Sequence, residues 1–299
     1  MPKLNEDSNS LYCAPDIKSN GTCYTKENLI FLIKSYNKNK LKKDKILLSN
    51  KSKKKMWQDL NKKLSKDCNN EWCWLEQNFV PAPFAKKNIK EKFKPEMPKE
   101  WEKNPFEWLS STDIKNVMKQ YEKKYPDFLF LGPVPVDCPS SITCVLSGLS
   151  VEILINKLGK TKLGIIYNLD EHDEPGSHWV ASYFDFKKCK ILYFDSVGMP
   201  PPKMILSFLQ KMKKGCEDYY LKYFNKTITT DIYSNNTRFQ FGNSECGIFS
   251  MNFIISNLQG NLNLNKNIVN DNVMNDLRKV YYRPSLNKST QSLENTKYN

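Results

Sequence analysis

The stretch HWVASYFDFKKCKILYFDSV, residues 178–197, decides how this chain is to be read. Two runs rich in β-branched and aromatic residues, HWVASYFDF and CKILYFDSV, flank a turn near Lys187–Lys188, and such runs bounded by turn residues predict strands. Folded as an antiparallel hairpin, their turn-distal ends come together, and those ends carry His178 and Asp195. An imidazole held against a carboxylate has its tautomer and ring direction fixed, here through an expected Nδ1–carboxylate hydrogen bond. That geometry makes His178 a candidate general base and Asp195 its orienter. Taken alone, Asp195 reads equally well as a turn-capping Asx residue. The only other histidine, His172, lies in the acidic loop EHDEPGS, a less rigid support than the end of a strand.

Working downstream, TTDIYSNNTRFQF (229–241) is expected to be a strand, and CGIFSMNFIISNLQG (246–260) a buried helix with Gly260 near its C-cap. Cys246 opens that helix. A helix N-terminus favours a thiolate, and a neighbouring imidazolium favours it further. Gly247 leaves room for a substrate backbone. A cysteine at a helix start is, by itself, more often ordinary packing. A thiol nucleophile needs a base, a group that orients the base and donors for the developing oxyanion. Gln240, six residues before Cys246, supplies a side-chain amide that with the Cys246 backbone N–H makes such a donor pair; Asn243 is the second candidate for that role.

The rest of the second half mixes helices and strands without regular alternation. LGIIYNLD (163–170) is a further β-rich run. WLSSTDIKNVMKQYEKKYPDF (108–128) has Ser111 or Thr112 as a cap and Ile114, Val117, Met118 and Tyr121 at helical spacing. MILSFLQKM and the segment up to Phe224 are helical in pattern, and DNVMNDLRKVYY (271–282) is a last helix stopped by Pro284. The fold class is therefore α+β.

The first half differs in composition. Residues 1–107 hold 23 Lys and 14 acidic residues, and 13 of those Lys fall within 34–66. Such a run attracts nucleic acid or another anionic surface, although its first reading is a solvated face. Residues 24–37 predict an amphipathic helix with Thr25 as N-cap and Leu29, Ile30, Leu32 and Ile33 as its stripe. A patch marked by Trp57, Trp72 and Trp74 follows, and then a Pro-studded connector over 81–105. The expected organisation is a basic docking region at 1–105, a catalytic domain at 106–284 and a polar tail at 285–299. The nine cysteines are expected to be free thiols of an intracellular reducing compartment, because the N-terminus has no apolar signal region and no run reaches the length of a membrane span. Cys13, Cys23, Cys68 and Cys73 fit zinc spacings poorly, so neither metal nor cofactor is expected.

The ordered set resembles a known group. His178–Trp179, then Asp195–Ser196, then Gln240 and Cys246–Gly247 are similar to the motifs of the adenain and Ulp1-like cysteine proteases. WLSSTDIKNVMKQYE resembles their opening helix. The resemblance implies a papain-like catalytic domain with a central mixed sheet and a helix carrying the cysteine, beside a mainly helical basic N-terminal region. It assigns His178 as base, Asp195 as orienting acid, Cys246 as nucleophile and Gln240 as oxyanion donor. Trp179 and Trp108 would wall a narrow substrate channel suited to Gly-Gly, since two indoles leave room only for residues without side chains. Ser111 and Glu245 depart from the acidic residue and the aspartate usual at those positions.

Within the group the chain most resembles the virion maturation proteases of large cytoplasmic DNA viruses, through the segments CAP…GTCYTKENL and CNNEWCWL. The implied function is cleavage of viral structural or core polyproteins, in the host cytoplasm or virus factory, by an enzyme packaged in the virion. Nucleic acid or the core particle is the implied partner of the basic region. The alternatives are a deconjugase for a SUMO- or ubiquitin-like modifier and a non-catalytic nucleic-acid-binding protein.

Overall fold

The computed structural model describes residues 11–18, 21–49, 51–81, 89–261 and 270–285. The chain divides into two compact units, one of Met1–Lys99 with Lys279–Asn299 and one of Glu100–Arg278. This differs from the expected division near residue 105, and residues from Lys279 onward group with the first unit instead of ending a domain at 284. The reason is local pairing. Arg283 N–H donates to Pro95 O at 2.9 Å, Met97 N–H donates to Arg283 O at 2.8 Å, and the buried Arg283 guanidinium pairs with Glu96 at 2.9 Å. Of the expected polar tail, residues 286–299 lie outside the described residues.

In the first unit, helix α1 (Lys26–Asn37) starts at Thr25, whose hydroxyl accepts from Asn28 N–H while Asn28 Oδ1 accepts from Thr25 N–H. That reciprocal pair satisfies two backbone donors that a helix start leaves open. Leu29, Leu32 and Ile33 turn inward, as their spacing predicts. Helix α2 (Lys53–Leu64) was not foreseen. Its buried face is Met56, Leu60 and Leu64, spaced four apart inside the Lys-rich run. The tryptophans join this unit's own core: Trp74 stacks on Tyr24 at 5.6 Å, and Phe93 packs edge-on to Tyr24 at 5.2 Å.

The expectation of nine free thiols fails for six. Cys13–Cys23, Cys68–Cys73 and Cys138–Cys144 form disulfides, with Cα–Cα separations of 5.1, 5.6 and 5.3 Å, inside the range a disulfide spans. Among the described residues Cys189, Cys216 and Cys246 remain free. The four N-terminal cysteines considered for zinc are thus all bonded to one another in pairs.

The second unit is built on a five-stranded mixed sheet in chain order: β1 (Phe128–Pro135), β2 (Lys162–Asn168), β3 (Trp179–Asp185), β4 (Lys190–Phe194) and β5 (Asp231–Ser234). β1–β2 and β4–β5 are parallel, and β2–β3 and β3–β4 antiparallel. β1 escaped the sequence reading because FLFLGPVP carries two prolines; an edge strand tolerates them. β5 is only four residues long, so the run to Phe241 expected as strand is mostly loop.

Helix α3 (Ser111–Lys124) precedes the sheet. Its cap is Ser110, one residue earlier than expected, and Asp113 closes a reciprocal pair with it. Helix α4 (Lys203–Phe224) follows β4. Helix α5 (Cys246–Gln259) is buried over most of its surface and lies on the sheet, where Phe253 stacks on Phe194 at 5.0 Å and Ser250 Oγ donates to Trp179 O at 3.1 Å. Helix α6 (Asp271–Tyr281) ends the described secondary structure. No helix among the described residues is long and apolar enough to cross a membrane.

Candidate active site

The hairpin β3–β4 has the register the sequence predicts, with Ala181 opposite Phe194 and Asp185 opposite Lys190. His178 stands one residue before β3 and Asp195 one residue after β4, so both occupy the turn-distal end. Their side chains meet, with His178 Nε2 and Asp195 Oδ1 2.7 Å apart. The nitrogen on the carboxylate is therefore Nε2 and not the expected Nδ1: the far side of the ring reaches across to the neighbouring strand. Nδ1 is left on the other side of the ring, and the Cys246 thiol is near enough to the imidazole to help raise its pKa.

Asp195 is almost fully buried and its oxygens are held from several sides. Val197 N–H donates to Oδ1 at 2.9 Å and Met199 N–H to Oδ2 at 3.3 Å. Asn235 clasps the same residue's backbone, accepting from Asp195 N–H at 2.9 Å and donating to Asp195 O at 2.6 Å. The carboxylate thus has one orientation. Burial lowers the pKa of His178, but Asp195 and Cys246 outweigh it and raise the value to about 9. A charged imidazolium in this setting stabilises a neighbouring thiolate.

Cys246 is buried and is the first residue of α5. Glu245, at the cap position, makes no side-chain cap; its carboxylate turns back to Ser244 N–H at 3.0 Å and Ser244 Oγ at 2.8 Å. The opening N–H groups of α5 consequently lack an intrahelical acceptor and a side-chain cap, the arrangement that favours negative charge at a helix start. Gly247 serves a different purpose from the one expected. A Cβ there would stand 2.8 Å from Leu109 Cδ1 and 3.3 Å from Trp179 Cδ1, so the glycine admits the site's own walls.

Gln240 is buried in the loop between β5 and α5. Its Nε2 donates to Gly242 O at 3.0 Å, an oxygen that can only accept, which fixes which end of the amide is NH2, and Ser196 Oγ donates to Oε1 at 2.7 Å. An amide nitrogen carries two protons, so one donor remains. Ser196 and Asn235 were not singled out from sequence; Ser196 was legible only as the residue after Asp195. Asn243 is exposed.

Trp179 is buried, its Nε1 donating to Leu109 O at 3.1 Å, whereas Trp108 is 40% exposed beside Leu109 in the chain. The two tryptophans therefore converge on one backbone segment, one inside and one outward. His172 is not part of this group. It pairs with Asp137 at 2.7 Å on the surface, and the Asp137 hydrogen bond raises its pKa. That pair borders a cavity of about 540 Å³ with Val134, Ser140 and Val145, whose lining includes neither His178 nor Cys246. Among the described residues no group of three or more His, Cys, Asp or Glu is placed to hold a metal ion.

The family model of the Ulp1 protease family, C-terminal catalytic domain, matches residues 165–293, a span holding His178, Asp195, Gln240 and Cys246. A protein of Acanthamoeba polyphaga mimivirus named as a thiol protease is 33% identical over 285 residues, covering 89% of this chain and 90% of its own length. The chain belongs to the Ulp1 protease family. It is a cysteine protease of the kind found in giant viruses. A cysteine protease of African swine fever virus is 26% identical over 230 residues, 71% of this chain and 81% of its own length, and in other isolates that protein is named a SUMO-1 cysteine protease. The crystal structure of an African swine fever virus protease matches with a TM-score of 0.67 at 20% identity, over 92% of this chain and 96% of that one. The protease fold expected from the motifs, with its mixed sheet and a helical N-terminal region, is the fold observed.

Proposed function

We propose that this protease is a viral maturation endopeptidase that cleaves structural or core polyproteins after Gly-Gly-type sites, and that Cys246, His178, Asp195 and Gln240 carry its chemistry. The observation that supports this most strongly is the chain of contacts Asp195–His178–Cys246 ending at an uncapped helix start. The Cys246 thiolate attacks the scissile carbonyl carbon. A C–S bond forms and the π pair moves to oxygen, where the free Nε2–H of Gln240 and the Cys246 backbone N–H donate. Collapse expels the amine, which takes the proton held on His178. Water, deprotonated by His178, then attacks the thioester and releases the carboxylate and the thiol. Asp195 keeps the ring turned between its two partners throughout.

Trp179 and Trp108 wall the approach to the thiol and select glycines. The basic first unit supports docking on nucleic acid or on the core particle, and packaging of the enzyme in the virion follows from that reading. The SUMO-1 protease name of the African swine fever virus relatives favours a second reading, removal of a ubiquitin-like modifier. Rates on a Gly-Gly-X peptide and on a SUMO or ubiquitin fusion separate the two. Comparable kcat/KM on both substrates supports the endopeptidase; a fusion cleaved with kcat/KM more than about a hundredfold higher, equivalent to some 3 kcal/mol of docking energy, supports deconjugation.

A further inference from the structure

The loop 240–245 carries the oxyanion donor at one end and runs into the nucleophile at the other, and helix α6 contacts it through three residues. Asp271 Oδ2 accepts from Phe241 N–H at 2.9 Å and from Gly242 N–H at 2.7 Å. One turn on, Asn275 Nδ2 donates to Glu245 Oε1 at 2.8 Å. Arg278 donates from Nη2 to Ser244 O at 3.1 Å and from Nη1 to Glu107 O at 2.7 Å, with its guanidinium over Trp101 at 4.4 Å. Positions i, i+4 and i+7 lie along one face of a helix. That face therefore grips the loop at Phe241–Gly242, at Ser244 and at Glu245.

The loop is cramped as well as tethered. A Cβ on Gly242 would stand 2.6 Å from Glu245 Oε2, so Gly242 and the Glu245 carboxylate occupy adjoining space. Gly242 is also the residue whose carbonyl receives Gln240 Nε2. The polar contacts thus run from Asp271 to the N–H of Gly242 and, on the other side of the same residue, from its C=O to the Gln240 amide. Asp271 does not cap its own helix: Asn270 does, accepting Val273 N–H at 3.1 Å. Its carboxylate is spent on the loop instead.

We propose that Asp271, supported by Asn275 and Arg278, is the positioning residue of the oxyanion site: by holding the N–H groups of Phe241 and Gly242 it sets the place of residue Gly242, whose C=O on the other side of the Cα directs the remaining Gln240 N–H. The inference rests on the assignment of Gln240 as oxyanion donor. Asp271 touches no reacting atom, and it serves the step in which charge develops on the carbonyl oxygen. Thiolate formation is left to His178.

Two reagents separate these functions in the full-length protein. A peptide aldehyde ending in Gly-Gly adds the Cys246 sulfur to its carbonyl carbon and places an oxygen where the oxyanion donors point. Iodoacetamide alkylates the same sulfur by displacing iodide and forms no oxyanion. Asp271→Ala is expected to weaken aldehyde affinity on the order of 10–10²-fold, the scale of a misplaced active-site group, while the alkylation rate stays within about twofold. Asp271→Asn, which keeps an oxygen acceptor, should recover most of the loss. Asn275→Ala should move the aldehyde in the same direction by less, and Val273→Ala on the exposed side of α6 should not move it. If Gln240→Ala weakens the aldehyde and Asp271→Ala leaves it unchanged, the brace is overturned. If neither weakens it, the Gln240 assignment itself falls. Equal losses in aldehyde affinity and alkylation for Asp271→Ala, unrescued by Asn, make Asp271 a fold residue and also overturn the proposal.

Discussion

Glu71 in the first unit and Asp195 in the second are carboxylates buried to the same degree, and the two have opposite fates. In the first unit Glu71 is almost fully enclosed, with Trp57 Nε1 and Cys23 N–H donating to its oxygens and its own carbonyl accepting from Tyr24. Burial pushes its pKa up to about 7, against the pull of hydrogen bonds from Thr22, Cys23 and Trp57. In the second unit Asp195 is equally enclosed, yet it faces an imidazole whose pKa a nearby thiol helps raise. Glu71 ties a turn to a tryptophan cluster. Asp195 sits at the end of the proposed relay. A buried carboxylate is therefore no mark of an active site until its partner is a group that itself titrates and touches a nucleophile.

The largest effects should come from breaking the relay. Cys246→Ala and His178→Ala should each leave peptide cleavage indistinguishable from background, because members of such a set act as a unit, whereas His172→Ala should leave kcat/KM within about twofold. Retained turnover in His178→Ala would show that the contact with Cys246 is packing. Next in size, Gln240→Ala should lower kcat on the order of 10²–10³-fold with a smaller change in KM, as removal of an oxyanion donor does. The same signature from Asn243→Ala would move the donor three residues along the chain.

A pH profile sharpens the contrast at Asp195. In the proposed mechanism the leaving amine takes its proton from His178, whose pKa is raised to about 9, so kcat/KM should fall as pH rises through that value. In Asp195→Asn the carboxylate that helps raise it is gone, and the limb should move down toward the ordinary histidine value of 6.5. A limb that stays in place would show that Asp195 does not act on the ring.

Glu71 should show in stability alone. Its folded pKa of about 7 exceeds the ordinary 4.5, so between those values the folded state holds the proton more tightly than the unfolded state. Stability then falls as pH rises through that window, by about 3 kcal/mol if the whole difference is expressed. Glu71→Gln should flatten the slope of thermal midpoint against pH between about 4.5 and 7 and leave the activity profile alone. An unchanged slope would place the pH dependence elsewhere.

Much of the second unit was legible because its signals are local. The hairpin could be read from HWVASYFDF and CKILYFDSV, and a symmetric turn fixes which residues share an end. The choice of Nε2 over Nδ1 was not legible, since it depends on how far the ring must reach between strands. Helix α2 was hidden because Met56, Leu60 and Leu64 are outnumbered by lysines, although their fourfold spacing was there to find. β1 was hidden by its prolines. The disulfides were missed because the absence of an apolar N-terminal segment argued for reduced thiols, while pairing depends on Cα separations that spacing does not give. The grip of Asp271, Asn275 and Arg278 on the loop before Cys246 joins residues about thirty positions apart, and no local pattern announces it.

The most direct test of the account is covalent labelling of the full-length protein by a Gly-Gly vinyl sulfone, read by intact mass and peptide mapping. A thiolate must add to the vinyl carbon, and an imidazolium must supply the proton that completes the adduct. The account predicts one adduct per chain, located on Cys246, formed near neutral pH and lost in His178→Ala. Adducts on Cys189 or Cys216, or labelling of Cys246 that proceeds at an unchanged rate without His178, would contradict it.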